Sequence, residues 1–490
     1  MTVDKIRTRI APSPTGEFHI GTLRTVLYNY AWAKKNNGNF IIRIEDTDRS
    51  RFVEGAMNRL LEAIDDYGIN WDEGPTKGGE YGPYIQSERL NIYREYIDIL
   101  IKSQKAYYCF CTDDRLAKLR EDYAKENKNF KYDRYCLNLS QNDIDERVKN
   151  GEKFVVRMRI PDDSVISYDD LILGKIEIPS KDIDDQILMK SDGFPTYHFA
   201  VVIDDYLMKI THVLRGAEWI YSTPKHILLY QFLGFESPKF GHLPNLKFLG
   251  SNKKMSKREG NTSAVSYLQK GYLPEAVINY LMFLGWNPGT EKEIYTLEEF
   301  ISDFTIEKIH TSDLVTFDIE KLNWFNSVYL KNIENEVFLD RLKNWQLKFN
   351  TPCLIDEIEN KYSFKDVLKI CQLTKERLNV LTDFDTLVDY YLNSPKLELV
   401  TIGKYSSKPK EILNFFLSEI ENIQDFSFEN LDKILHAAIK ENNYSMKEYF
   451  MTLRICITGE TITPPIIEII SIIGREETLK RLKSSLELFN

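Results

Sequence analysis

The sequence predicts an α/β domain built on a parallel sheet, interrupted by an α+β insertion and followed by an all-α region. Three observations carry this reading. A strand, a helix and a strand follow one another near the N-terminus. Residues from about 105 to 190 break that pattern. Beyond about Asn332 nearly every stretch has helical periodicity and few glycines. Strand, crossover helix and strand in that order imply parallel neighbours joined by right-handed crossovers.

The first strand is expected over residues 6–10, followed by the loop Ala11-Pro-Ser-Pro-Thr-Gly16. Leu23, Val26, Leu27, Tyr30 and Ala31 then recur at i, i+3, i+4, i+7 and i+8, the apolar stripe of a helix that Asn37-Gly38 ends. Residues 40–44 (Phe-Ile-Ile-Arg-Ile) read as a buried parallel strand, and a second helix is expected over 54–67. The insertion is rich in Asp, Lys and Tyr and contains a short strand at 154–158. The α/β pattern resumes at 210–214 and is followed by a helix over 219–232 and a lysine-rich loop at 251–260. The expected domains are therefore 1–104 and 191–250 as two halves of one α/β unit, 105–190 as the insertion, 251–331 as a linking domain, and 332–490 as the helical region.

A chain of 490 residues is too long for one compact core, which argues for three to five domains. Apolar residues at 43% and charged residues at 28% are the mix of a globular protein, not a disordered one. The net charge of -10 argues against a general nucleic-acid coat, since counterion release needs cations against phosphate. It leaves room for an RNA enzyme, of which only one face must be basic. Residues 331–490 hold 21 Lys+Arg against 25 Asp+Glu by count, so RNA binding is not legible from bulk charge. The N-terminal residues lack the apolar run of a signal peptide, and the stretch Pro464-Pro-Ile-Ile-Glu-Ile-Ile-Ser-Ile-Ile-Gly474 is too short to span a membrane. Cys353, Cys371 and Cys456 are scattered singly, as in a reducing cytoplasm.

Two short strings carry the chemistry. His19-Ile20-Gly21-Thr22 lies where the first helix begins, so free backbone N–H groups and the helix dipole favour a phosphate there. Glycine at that point lets a flat base approach the backbone, and His19 can donate to a phosphate oxygen. Read alone, the string is an ordinary helix start beside a surface histidine. The second string is Lys253-Lys254-Met255-Ser256-Lys257-Arg258. Across 247–260 five cations face one acid, Glu259, and Gly250 and Gly260 flank a loop able to close over a polyphosphate. Read alone, it is a solvated lysine-rich loop.

Together, about 240 residues apart, the strings resemble the HIGH and KMSKS signatures of class I aminoacyl-tRNA synthetases, which have a Rossmann-type catalytic domain. Arg9-Ile-Ala-Pro-Ser-Pro-Thr-Gly16, Arg43-Ile-Glu-Asp-Thr-Asp48, Ser191-Asp-Gly-Phe-Pro-Thr-Tyr-His198 and Phe317-Asp-Ile-Glu-Lys-Leu-Asn-Trp-Phe-Asn326 narrow the resemblance to bacterial glutamyl-tRNA synthetases. So do residues 459–465 and 473–480, so that it runs from about Arg7 to Arg481. Thr22 replaces the second histidine of HIGH, a position where glutamyl enzymes commonly differ.

The resemblance implies a glutamate–tRNA ligase that uses Mg²⁺-ATP, L-glutamate and tRNA-Glu, with tRNA-Gln as a further candidate, acting as a cytoplasmic monomer. It implies that His19, Lys254 and Lys257 are catalytic. Thr15, His19, Gly21, Thr22, Met255, Ser256, Lys257 and Arg258 would bind ATP. Residues 105–190 would receive the acceptor end of tRNA, 251–331 would contact its stem, and 332–490 would bind the anticodon.

Glutamate carries two carboxylates and one ammonium, so its pocket needs two cations and an anion. Arg9, Glu45 and Arg215 all end strand candidates, which places them at the carboxyl edge of the sheet, where ligands bind. Arginine meets a carboxylate bidentately, as lysine does not. The resemblance sets Arg9 with Tyr197 on the side-chain carboxylate, Arg215 on the α-carboxylate and Glu45 on the ammonium, and adds Ser13. The competing reading makes these residues salt bridges between domains.

Cys109, Cys111 and Cys136 offer three donors to a structural zinc. Many bacterial glutamyl enzymes carry a histidine two residues after the third cysteine. Here that residue is Asn138, a poor ligand, and Tyr132 is the alternative fourth donor, as in truncated relatives that modify a tRNA base. Two readings stand: a Zn²⁺ site, or a zinc-free cluster of reduced thiols. The roughly 160 helical residues past Asn332 argue against a truncated relative, and the low glycine content there argues against the β-barrels of a glutaminyl enzyme. An inert tRNA-binding paralogue would have lost His19, Lys257 or the arginine pair.

Overall fold

The structure, a computed structural model, describes residues 5–51, 53–128, 130–256, 262–397, 402–421, 423–442 and 444–489. It divides into two compact units, Met1–Tyr267 with Pro274–Lys321, and Leu268–Leu273 with Leu322–Asn490.

The first unit is organised by parallel strands. β1 (Arg7–Ile10) pairs with β2 (Asn39–Ile42) in parallel through α1 (Ile20–Lys35). Ile20, Leu23, Val26, Leu27 and Ala31 are buried along α1, which turns the apolar stripe of the sequence onto the sheet. Gly38 closes the crossover because a β-carbon there would lie 2.1 Å from the Ile6 carbonyl oxygen. The strand expected over 40–44 leaves the β1 ladder after Ile42, and Ile44 bridges in parallel to Ile85 instead. α2 (Ala56–Asp66) lies within the helix expected over 54–67.

The chain returns to this sheet at β8 (His212–Gly216), where the Thr211 N–H donates to the Arg7 carbonyl at 2.9 Å. β8 then pairs in parallel with β9 (Lys239–Leu243) through α7 (Thr223–Leu233). One crossover leaves β1 and the other leaves β8, so the strand order reverses between them, and a crevice opens at their carboxyl ends. The helix expected over 219–232 begins as a 3₁₀ segment, Ala217–Ser222. Pro224 sits in the first turn of α7, where its missing N–H costs nothing and its fixed φ sets the α-helix start.

Between 105 and 190, β3 (Ala106–Cys109), β4 (Val155–Met158) and β7 (Ile187–Met189) form an antiparallel sheet in the order β3-β4-β7. The hairpin of β5 (Val165–Asp170) and β6 (Gly174–Pro179) does not stay apart with them. β5 joins the edge of β9 in parallel through Asp170 and Phe240, giving the order β6-β5-β9-β8. Later in the unit, β10 (Asn245–Phe248) pairs in parallel with β11 (Leu314–Phe317).

Among the described residues beyond Asn332 the second unit is entirely helical, from Asn335–Phe349 to Ile466–Glu487. The last helix kinks at Gly474, whose φ of 81° is open to glycine. No helix among the described residues is long and apolar enough to cross a membrane. Cys371 and Cys456 are buried and Cys353 is half-buried.

Candidate active site

The carboxyl ends of β1 and β8 open into a cavity of about 790 Å³, the size of a small-molecule site. Arg9, Ser13, Thr15, His19, Gly21, Thr22, Glu45, Tyr197, Arg215, Lys254, Met255 and Ser256 all line it, which brings together residues separated by up to 247 positions. Lys257 and Arg258 lie outside the described residues.

One end of the cavity rests on buried ion pairs. Arg9 reaches Asp205 through Nε at 3.2 Å and a terminal nitrogen at 3.3 Å. Arg43 meets the same carboxylate at 2.7 Å and Glu45 at 3.1 Å. Asp204 takes Arg89 Nε at 2.7 Å, Gln86 at 2.9 Å and the Tyr93 hydroxyl at 2.8 Å. Burial raises the Asp205 carboxyl, but Arg9 and Arg43 outweigh it and hold it below its ordinary value. Glu45 differs. Burial pushes it up to about 7, against the pull of Arg43 and Arg9. A carboxyl so poised gains most from an incoming cation.

Arg215 has another environment. Its Nε donates to His242 Nε2 at 3.2 Å, one terminal nitrogen faces His226 Nδ1 at 3.3 Å, and the other donates to Thr223 Oγ1 at 2.6 Å. The guanidinium stands over the Phe240 ring, 5.1 Å from its centroid. Among the described residues no carboxylate pairs with it directly. A buried cation held only by neutral groups lowers its own energy by binding an anion. Beside it, Tyr197 packs on Trp219 with ring centroids 4.4 Å apart.

The other end is the start of α1. His19 is its N-cap, and Nδ1 accepts the Gly21 N–H at 2.9 Å, which leaves the ring proton on Nε2 as a donor. The Gly21 amide is therefore not free for a phosphate, contrary to expectation. What the helix start offers is its dipole and the imidazole. A β-carbon on Gly21 would come within 3.1 Å of His19 Nδ1, so the glycine keeps room for the ring. Both ends of the lysine-rich loop are pinned here. Met255 N–H donates to the Leu246 carbonyl at 2.6 Å, and beyond the loop Ile20 N–H donates to Thr262 at 2.8 Å and Ala264 N–H to Phe18 at 2.7 Å. Lys254 Nζ lies 2.7 Å from Glu218.

The three cysteines also converge. Tyr132 Oη lies 3.3 Å from both Cys109 Sγ and Cys111 Sγ, and Cys111 Sγ lies 3.6 Å from Cys136 Sγ. All three sulfurs fall within 4.8 Å of one another. Arg115 approaches Cys111 at 3.6 Å and Arg157 stands over the Tyr132 ring at 4.0 Å.

The family profile of tRNA synthetases class I (E and Q), catalytic domain, matches residues 5–324. The chain belongs to that family. An anticodon binding domain profile matches residues 337–486. Among curated relatives of this class I synthetase, the glutamate–tRNA ligase of Clostridioides difficile is 41% identical, over 97% of this chain and 98% of its own length. That of Finegoldia magna is 41% identical over 99% of this chain and 100% of its own. The crystal structure of a glutamate tRNA ligase from Elizabethkingia meningosepticum in complex with its amino acid matches with a TM-score of 0.90 at 34% identity, covering 99% of this chain and all of that one. The glutamate-tRNA synthetase of Elizabethkingia anophelis matches with a TM-score of 0.88 at 35% identity and the same coverage.

In this synthetase the sequence reading missed Arg43, Asp205, Glu218, His226 and His242. Two of them carried a signal. Arg43 interrupts the apolar run 40–44, and Asp204-Asp205 interrupts the apolar helix α6 (Tyr197–Leu207). Charges in elements that apolar neighbours bury must be paired. The histidines carried none, because their meaning depends on what lies across the sheet.

Proposed function

We propose that this protein activates L-glutamate with Mg²⁺-ATP and transfers it to the 3′-terminal adenosine of tRNA-Glu. The observation that carries this reading is the convergence of Arg9, Arg215 and Glu45 on one cavity, beside the start of α1. Two cations and one anion complement the two carboxylates and one ammonium of glutamate. Arg9 and Tyr197 take the side-chain carboxylate, Arg215 the α-carboxylate and Glu45 the ammonium, with Ser13 nearby. Thr15, His19, Gly21, Thr22, Met255, Ser256, Lys257 and Arg258 hold ATP.

An oxygen of the glutamate α-carboxylate attacks the α-phosphorus in line, the bond to the bridging oxygen breaks, and pyrophosphate leaves. A hydroxyl of the terminal adenosine then attacks the acyl carbon of glutamyl-adenylate and AMP leaves. No protein nucleophile takes part, so catalysis is positioning and charge stabilisation. His19, Lys254 and Lys257 stabilise the charge gathering on the phosphates. Residues 105–190 receive the acceptor end and 251–331 the stem, while 332–490 reads the anticodon. The enzyme works in the cytoplasm as a monomer.

The thiol cluster fits Zn²⁺. A tetrahedral zinc with metal–sulfur bonds of about 2.3 Å needs ligand atoms roughly 3.7 Å apart. Tyr132 Oη at 3.3 Å from Cys109 and Cys111 Sγ, Cys111 Sγ at 3.6 Å from Cys136 Sγ, and all three sulfurs within 4.8 Å of one another lie around that edge. Those four residues would hold the ion, which would crosslink β3 to the following loop.

Aminoacylation of tRNA-Glu and tRNA-Gln transcripts, side by side, tests the function. Charging of tRNA-Glu with glutamate is expected, and failure on both transcripts would reject it. Pyrophosphate exchange is expected to require tRNA; full exchange without it would remove that requirement.

A further inference from the structure

Arg215 is surrounded on three sides by groups that carry no charge of their own. Its Nε meets His242, its terminal nitrogens meet His226 and Thr223, and its plane lies over Phe240. Three of its five N–H groups are thus engaged, leaving one on each terminal nitrogen for the cavity that Arg215 lines.

This arrangement holds only if each histidine presents a bare nitrogen. For His242, Asp170 enforces it. Asp170 Oδ2 lies 2.6 Å from His242 Nδ1, so the proton sits there and Nε2 is left to accept. The other oxygen, Oδ1, accepts the N–H groups of Ile172 and Leu173 at 3.0 Å and of His242 at 3.3 Å, so the carboxylate cannot turn. For His226, Nδ1 faces Arg215, which places the proton on Nε2, 3.1 Å from His198 Nδ1.

We propose that His226 and His242, the latter fixed by Asp170, are positioning residues for amino-acid binding, holding the Arg215 guanidinium in the one orientation that meets the α-carboxylate of glutamate. The inference rests on the reading of Arg215 as the contact for that carboxylate. Burial supports it. His226 and His242 are both held below the ordinary histidine range, by burial first and by Arg215 as well, and His198 is brought down to about 4. All three are neutral at pH 7. A proton on either acceptor would set donor against donor and cation against cation.

Three substitutions of similar size separate this role from mere packing. Asparagine at 226 can place its amide oxygen where Nδ1 stands, whereas glutamine places its polar end where Nε2 stands and leaves nothing for Arg215. At 170, asparagine must keep its oxygen on the three backbone N–H groups, so its NH₂ faces His242 Nδ1. The His242 proton is then driven to Nε2, against the Arg215 Nε–H.

Titration calorimetry of L-glutamate and of ATP into the full-length protein reads the outcome. Glutamate binding by His226→Gln and Asp170→Asn is expected to weaken about tenfold or more, the usual consequence of mispairing a charge-assisted hydrogen bond. ATP binding should stay within about twofold, and His226→Asn should recover glutamate binding to within about threefold of wild type. As a competitor, 4-aminobutanoate, which lacks the α-carboxylate, should show the same inhibition constant in every variant. Wild-type glutamate affinity in His226→Gln and Asp170→Asn would overturn the proposal. So would an equal loss of ATP or 4-aminobutanoate binding, or no recovery by His226→Asn. Arg215→Met separates the two levels: unchanged glutamate affinity there would overturn the Arg215 reading itself, whereas a severe loss there with none in His226→Gln would overturn only the positioning role.

Discussion

Lys254 and Glu218 form an ion pair of 2.7 Å across the mouth of the cavity, joining the lysine-rich loop to the segment that follows β8. Both side chains are about half exposed, 50% and 40%. ATP phosphates approaching Lys254 therefore compete with Glu218 for it. An exposed pair of this kind is weak, so Glu218→Ala is expected to lower the KM for ATP by no more than about fivefold. A KM raised instead would mean that Glu218 contacts substrate directly.

In the proposed mechanism Lys257 acts mainly on charge that develops in the transition state. Lys257→Ala is expected to lower kcat by roughly two to three powers of ten with little change in glutamate affinity. Single-turnover adenylate formation measures this, and a wild-type rate would remove Lys257 from the mechanism.

The pocket at Arg9 should reject glutamine. An amide presents an NH₂ to a guanidinium, and a charge-assisted pair lost in a buried site costs several kcal/mol. Discrimination of ~10⁴ or more is expected without editing, and aspartate should fail because its carboxylate falls one methylene short. Arg9→Ala should damage kcat/KM for glutamate severely and spare ATP binding, although the loss of its Asp205 contact makes a melting-temperature control necessary. Glutamine charged within tenfold of glutamate would sink the pocket assignment.

Glu45 sets a pH dependence. Its folded value of about 7 exceeds the ordinary 4.5, so the folded state binds the proton more tightly and stability falls as pH rises from 4.5 to 7. A bound ammonium favours the carboxylate and reverses the trend. Glutamate binding near pH 7 should therefore release about half a proton, measurable by calorimetry in buffers of different ionisation enthalpy, and fade as pH drops below that value. Proton uptake would exclude Glu45 as the ammonium partner.

Metal analysis tests the thiol cluster. About one zinc per chain is expected, lost in Cys109→Ser together with thermal stability. A Tyr132→Phe protein that keeps its zinc with full affinity would exclude the phenol as the fourth donor. Metal-free protein of full activity would exclude the site.

The strand-helix-strand start, the helical region beyond Asn332 and the two motif strings were legible in the amino-acid order. Hydrophobic periodicity and glycine placement act over a few residues, so a linear reading captures them. The convergence of Arg9, Glu45 and Arg215 followed from the same logic, since each was expected at the end of a strand at the carboxyl edge of the sheet, whereas Tyr197 was placed beside them only by the family resemblance. Tertiary structure alone decided which partner each charge has. Arg9 and Arg43 meet at Asp205, 196 and 162 residues away, whereas among the described residues Arg215 meets no carboxylate directly. It alone decided that His19 consumes the Gly21 amide, that β5 crosses to β9 so that Asp170 stands behind His242, and that Tyr132, the alternative donor the sequence offered, reaches the sulfurs. Those pairings depend on which loops the sheet order brings side by side, and on desolvation that arises only once the core has closed.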